Sequence, residues 1–233
     1  MSREWELFYN KFIVYEGYKT TLNGLALTAE IAVFGLFIGM LIGTLIAVVK
    51  VVPKYKLLPR ILSKICDIYV GFFRGTPIVV QLLIGYFVLI PSIGLNLDKV
   101  AVAILVFGMN SGAYVSEIMR SGIQAVDPGQ LEAGRAVGLS FSAAMAKIVI
   151  PQAIKNILPT MGNEFISLIK ETSVVGYIAI VDLTKAFRQI GDSNYEYIIP
   201  YLVLAVVYLV IVMLITQGVK IIERGLKKSD RHN

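Results

Sequence analysis

Asn110, Tyr114 and Glu117 recur at i, i+4 and i+7 inside a run, Val100 to Met119, that is otherwise mostly apolar. At helical spacing the three share one face, and an ionisable group in such a run is costly unless it meets a partner, water or a solute. A second polar row, Thr160, Asn163, Ser167 and Lys170, falls within residues 152–181, with Glu164 one position off it. Glu30 is a third acid of this kind, set in the run Thr20 to Val49. The chemistry these types offer is hydrogen bonding and charge pairing with a polar solute, not bond making. The single cysteine, Cys66, has no internal disulfide partner, and the single histidine, His232, sits in a charged tail. We therefore expect no catalytic residue and no metal site in this chain.

The elements that position these residues belong in lipid. Of 233 residues, 56% are hydrophobic and 16% are charged, against about 25% charged in a typical soluble domain, and the mean hydropathy is +0.72. A spanning helix needs about 20 apolar residues, and four or five such segments fit: about 20–49, 77–90 with residues borrowed upstream, 100–119, a stretch within 152–181, and 197–221. This is an all-α integral membrane protein read as one domain over 1–233. The first 19 residues lack the pattern of a signal peptide and read as an interfacial lead-in. In the first span Gly35, Gly39 and Gly43 stand four residues apart, a spacing that lets helices approach closely in lipid. Pro159 is expected to break or restart the fourth span, which would free backbone donors at 160–163 for a solute carboxylate. Residues 182–196 are read as a polar return to the outside.

Basic residues set the orientation. Lys50, Lys54, Lys56, Arg60, Lys64 and Arg74 face a single acid, Asp67, between the first two spans, and the C-terminal "KIIERGLKKSDRHN" adds five more bases. Cytoplasmic loops carry such an excess, so the N-terminus is expected outside and the C-terminus inside. This placement accounts for the net charge of +6 without nucleic acid. Leu57, Ile61, Ile65 and Ile68 recur at helical spacing, which predicts an interfacial helix. No internal repeat is visible, so a complete inverted-repeat transporter is not expected.

The stretch "LEAGRAVGLSFSAAMAKIVIP", residues 131–151, is too polar to span and lies in a loop over about 121–151 on the basic side. Gln130 to Val137 is predicted as a short helix, Gly138 as its left-handed C-terminal residue, and Ser140 or Ser142 as the cap of a second helix. Ala133, Gly134, Ala136 and the alanines of 143–146 offer little side chain, so a partner's backbone can approach.

Here the sequence resembles a known family. Glu132, Ala133, Gly134, three residues, Gly138, nine residues, then Ile148, Val149, Ile150 and Pro151 are similar to the EAA loop of permease subunits from bacterial ATP-binding-cassette (ABC) importers. Gly134 stands where the family has a second alanine and Ile150 where it has leucine; the spacing is intact. "FFRGTPIVVQLL", "AYVSEIMRSGIQAVDPGQLEAGRAVGLS" and "GNEFISLIKETSVVG" resemble the polar amino-acid branch, which includes histidine, arginine and glutamine permeases. The resemblance implies a type I importer permease fold in the bacterial plasma (inner) membrane. It also implies a loop seated on a cytosolic ATPase dimer that carries the ATP and Mg, a second permease copy or paralogue, and an external or periplasmic solute-binding protein. No cofactor belongs to the chain itself.

On that reading Glu132, Ala133, Gly134, Gly138 and Pro151 couple to the ATPase. Glu132, placed in the first turn of its helix, is favoured there by the dipole. Thr160, Asn163, Glu164, Ser167, Asn110, Tyr114, Glu117 and Glu30 are candidates for the solute path. Alternatives stand beside several of these: Glu117 pairs with Arg120 at i+3, Glu30 pairs elsewhere or meets headgroups, and Arg74 snorkels before Pro77. Acids outnumber bases among the candidates, which points to a cationic amino acid such as arginine, lysine or histidine, with glutamine, glutamate and cystine left open. A stand-alone channel or ion-coupled carrier is the alternative function; it requires no ATPase.

Overall fold

Long apolar runs with few breakers become long helices, and the computed structural model of the chain consists of helices joined by short connections. It describes residues 3–52, 55 and 57–229; Lys54, Lys56 and His232 lie outside the described residues. α1 (Arg3–Tyr9) runs into a π-helical turn, Asn10–Val14, and is followed by α2 (Gly17–Val51) and α3 (Leu57–Gly75). α4 (Ile78–Ile84) continues through the π-helical Gly85–Leu89 into α5 (Ile90–Ser92), and α6 is Lys99–Gln124. Then come α7 (Pro128–Ala136), α8 (Phe141–Ala144), the π-helical Met145–Val149 and α9 (Ile150–Glu171). A 3-10 segment, Thr172–Ile178, leads to α10 (Leu183–Asp192) and α11 (Ile198–Ser229).

Among the described residues, three helices are long and apolar enough to cross a membrane: α2, α6 and Ile198–Gly225 of α11. α3 and the helical run Ile78–Ser92 qualify together, bent by 107° at the break before Pro77 and Ile78. A proline cannot continue the i→i−4 ladder and disfavours helix at the residue before it, which accounts for the break at Thr76 and Pro77. α9 covers much of the stretch where a fourth span is expected, but its polar row leaves it outside the helices apolar enough to cross by composition.

One feature differs from expectation. Pro159 lies inside α9 without ending it, because the rest of the helix on either side supplies enough ladder to carry one missing donor. The N–H groups of 160–163 therefore belong to a helix interior, and the open helix start expected there for a solute carboxylate does not exist. Residues 182–196, expected as a polar return, contain α10, capped by Asp182. Its Leu183, Ala186, Phe187 and Ile190 are buried at i, i+3, i+4 and i+7, the stripe of an amphipathic helix.

The chain forms two compact units. The first is Met1–Phe37, Thr76–Gly108 and Phe165–Leu214; Phe8, Leu183, Phe187, Ile190, Ile199 and Leu204 make a core in it. There Gly24 lets α2 meet the backbone ahead of α10: a Cβ at Gly24 would sit 2.7 Å from the Asp182 carbonyl oxygen. Thr28 Oγ1 accepts from the Leu183 N–H at 3.3 Å. The second is Ile38–Gly75, Met109–Glu164 and Ile215–Asn233. In it α2 and α6 touch through small residues, since a Cβ on Gly39 or Gly43 would lie 2.7 Å from Ser111 or 2.6 Å from Val115. This is the close packing that the four-residue glycine spacing predicts.

Candidate functional site

The hairpin of α7 and α8 is built by its own sequence. Asp127 caps α7 by accepting the Gly129 N–H at 2.9 Å, and Pro128 takes the first helical position, where its missing N–H costs nothing. At the far end Gly138 turns the chain at φ +89°, and the Leu139 N–H reaches back to the Gly134 carbonyl at 3.2 Å, closing the helix end. Ser140 then caps α8, accepting from the Ala143 N–H at 3.3 Å. The left-handed glycine and the serine cap stand where the sequence places them, and the first helix begins two residues earlier, at Pro128. Below them Val126, Val149 and Ala153 form a small core with Ile123, Leu131 and Met145 around it.

The hairpin has two faces, and this corrects two expectations. Gly134 is buried, and a Cβ on it would lie 2.7 Å from Ile148 Cδ1 and 3.2 Å from Ala144 Cβ; its small size closes the hairpin on itself rather than admitting a partner. Glu132, Ala133, Ala136 and Gly138 are exposed, as is Val137 at 80%, and these form the outward face. Because α7 starts at Pro128, Glu132 is its fifth residue and not its third, and the first turn of α7 holds no acid. Its role rests on exposure, not on the helix dipole. Pro151 is exposed within the helical run that continues into α9.

The same unit holds a charge cluster centred on Glu117. Arg120 reaches it at 2.8 Å, Lys50 at 3.0 Å and Arg74 at 3.7 Å, and Lys50 also meets Asp67 at 3.1 Å. The Lys50 side chain is 11% exposed and that of Glu117 20%, so the charges compensate one another where water is scarce. Arg120 also donates to Gln124 at 2.7 Å, and Arg74 lies 5.4 Å over the Tyr114 ring, within cation–π range. The pairing of Glu117 with Arg120 follows from helical spacing. Lys50 and Arg74 are 67 and 43 residues away along the chain, and no local pattern joins them.

The other polar candidates separate. Asn110 is buried and donates to the Phe73 carbonyl at 3.2 Å, while Ser111 donates to Glu164 Oε1 at 2.9 Å. Ser111, absent from the sequence candidates because a serine in an apolar run is unremarkable, is thus an α6 residue that meets Glu164 of α9. Thr160 and Asn163 are exposed and Glu164 is half-buried in this unit; Ser167, half-buried, belongs to the other. Glu30 is exposed on α2 in the first unit.

The family pattern described as "Binding-protein-dependent transport system inner membrane component" matches residues 35–228. The chain belongs to this family. It is 39% identical over 209 residues to the arginine transport system permease protein ArtQ of Bacillus subtilis, covering 90% of this chain and 93% of that protein. It is also 39% identical over 205 residues to the putative glutamine transport system permease protein GlnP of Rickettsia bellii, covering 88% and 92%. Among solved structures it resembles the crystal structure of an amino acid ABC transporter with histidines: TM-score 0.82, 37% identity, 93% of this chain and 97% of that one. An inward-facing structure of the MetNI methionine ABC transporter, 21% identical with a TM-score of 0.68 over 97% and 99% of the two chains, shares the fold. Membership makes the chain a multi-pass inner-membrane component of a transport system served by a binding protein, not an enzyme. The type I importer permease fold expected from the loop is the fold it has.

Proposed function

We propose that the chain is the permease subunit of an ABC importer for polar amino acids, arginine and glutamine among them. The observation that carries this is the α7–α8 hairpin: a projection closed by Gly134 and Gly138, with the side chains of Glu132, Ala133 and Val137 exposed on its outward face. On this reading the hairpin sits on a cytosolic ATPase dimer that holds ATP and Mg, with the N-terminus outside, the C-terminus inside and a second permease copy or paralogue completing the path. The chain contributes no cofactor of its own.

ATP binding closes the ATPases, moves the seated hairpins and favours the outward-facing pair; hydrolysis restores the inward-facing one. A shift of this kind needs only a difference in contact between the two states. For the path, Glu164 with Ser111, and Thr160 and Asn163 on the same helix, supply acceptors and a carboxylate for a cationic or polar solute; Ser167, in the other unit, is a separate candidate. Asn110, Tyr114, Glu117 and Glu30 are the remaining candidates.

The test is uptake and ATP hydrolysis by the complex of permease, ATPase and binding protein in proteoliposomes, across a panel of arginine, lysine, histidine, glutamine and glutamate. Stimulation by a subset is expected. Uptake that persists without the ATPase favours a stand-alone channel or carrier, and no response to any amino acid overturns the substrate class.

A further inference from the structure

The first unit holds a second polar site, apart from the residues considered so far. A cleft of 520 Å³ is lined by Tyr177, Asp182, Lys185, Arg188, Gln189 and Asp192, with Tyr201 beside them. Its volume lies in the range of small-molecule sites, and a few convergent polar groups are what such sites use for orientation. The charges in it are not equally available. Both Asp182 oxygens accept the N–H groups that start α10, from Thr184 at 3.0 Å and Lys185 at 3.1 Å. Burial pushes its carboxyl above the usual range, partly offset by those two N–H groups.

The cations are held loosely by comparison. Lys185 Nζ lies 3.5 Å from the Gly176 carbonyl and Arg188 Nε 3.9 Å from Asp192, both at or beyond the long end of a charge-assisted contact. Asp192 accepts from the Tyr197 hydroxyl at 2.9 Å. The cleft thus presents two cations, one accessible acid and the rings of Tyr177 and Tyr201. That set matches a zwitterion, with a carboxylate for the cations and an ammonium for the acid and the aromatic faces.

We propose that this cleft receives the arriving amino acid, with Lys185 and Arg188 taking its α-carboxylate and Asp192 with the two tyrosine rings taking its α-ammonium. The proposal rests on the amino-acid reading above and on the external placement of residues 182–196. It makes α10 a receiving element for the solute. Recognition falls on the backbone groups common to all amino acids, so the cleft accepts several side chains.

The test uses the whole complex in nanodiscs and proteoliposomes, with the double variant K185Q/R188Q and the charge-preserving K185R/R188K. Losing hydrogen bonds to a charged group lowers the rate of uptake by about tenfold or more, and we expect this for K185Q/R188Q with arginine and with glutamine alike. Co-sedimentation of the binding protein with the complex should stay within twofold, and K185R/R188K should recover most of the uptake. Unchanged uptake in K185Q/R188Q overturns the proposal. So does loss of binding-protein co-sedimentation in step with uptake, which makes the cleft a protein-docking surface. Failure of the amino-acid reading is separate and visible: the unsubstituted complex then takes up no member of the panel.

Discussion

Glu117 shows how one carboxylate organises three cations. Replacing it with glutamine keeps its shape and removes its charge, leaving Lys50, Arg74 and Arg120 crowded where the Lys50 side chain is 11% exposed. Asp67 retains only Lys50. Lys50 is the cation held from water, while the side chains of Arg74 and Arg120 are 45% and 37% exposed and their charges are screened, so Glu117→Gln should destabilise the protein by about 1 to 2 kcal/mol. Thermal unfolding of the detergent-solubilised protein reads this as a fall in Tm, and high salt should soften it. A Tm equal to that of the unsubstituted protein would mean that the cluster holds nothing. At Gly134 the argument is steric. Its Cβ would meet the far end of Ile148, which can swing, and Ala144 Cβ at 3.2 Å, which must give slightly. Gly134→Ala should therefore cost under about 1 kcal/mol, whereas Gly134→Val overpacks the hairpin by about 1 to 3 kcal/mol.

At the scale of the helices, sequence and structure agree where the signal is local. The four-residue glycine spacing in α2 predicts close packing, and Gly43 delivers it: a Cβ there lies 2.6 Å from Val115 Cγ1 and 2.8 Å from the Ser116 nitrogen. Since backbone cannot swing aside, Gly43→Val should lower Tm well beyond Gly134→Ala, with loss of folded yield by size-exclusion chromatography; equal yields would refute close α2–α6 contact. The α7–α8 hairpin is legible for the same reason, because Asp127, Gly138 and Ser140 act within a few residues of themselves. α10 carried a readable stripe, Leu183, Ala186, Phe187 and Ile190, and a capping aspartate, but Lys185, Arg188 and Asp192 gave the segment a loop-like polarity. The Pro159 expectation failed because the rule of proline as a breaker weighs one lost donor without the long helix around it. Ser111 with Glu164, and Lys50 with Glu117, depend on helices brought together across 53 and 67 residues, a pairing that periodicity does not encode.

For the whole molecule the decisive question is whether the hairpin transmits work to the membrane helices or merely joins them. The two faces of α7 allow these to be separated. Glu132 is exposed and outward, and surface substitutions away from caps and cores usually change stability by no more than about 0.5 kcal/mol. Glu132→Ala should therefore leave Tm within about 2 °C of the parent. If the outward face grips the ATPase, the same substitution should reduce the ATPase recovered with the permease and lower ATP-driven uptake by about tenfold or more, the loss of one or two charge-assisted hydrogen bonds. Gly134→Val should lose uptake too, but with a fall in Tm, because it opens the hairpin from inside. Stability and transport thus move together at position 134 and apart at position 132. A connector with no mechanical role would show the first pattern and not the second: Glu132→Ala would transport at the parental rate with the ATPase still bound.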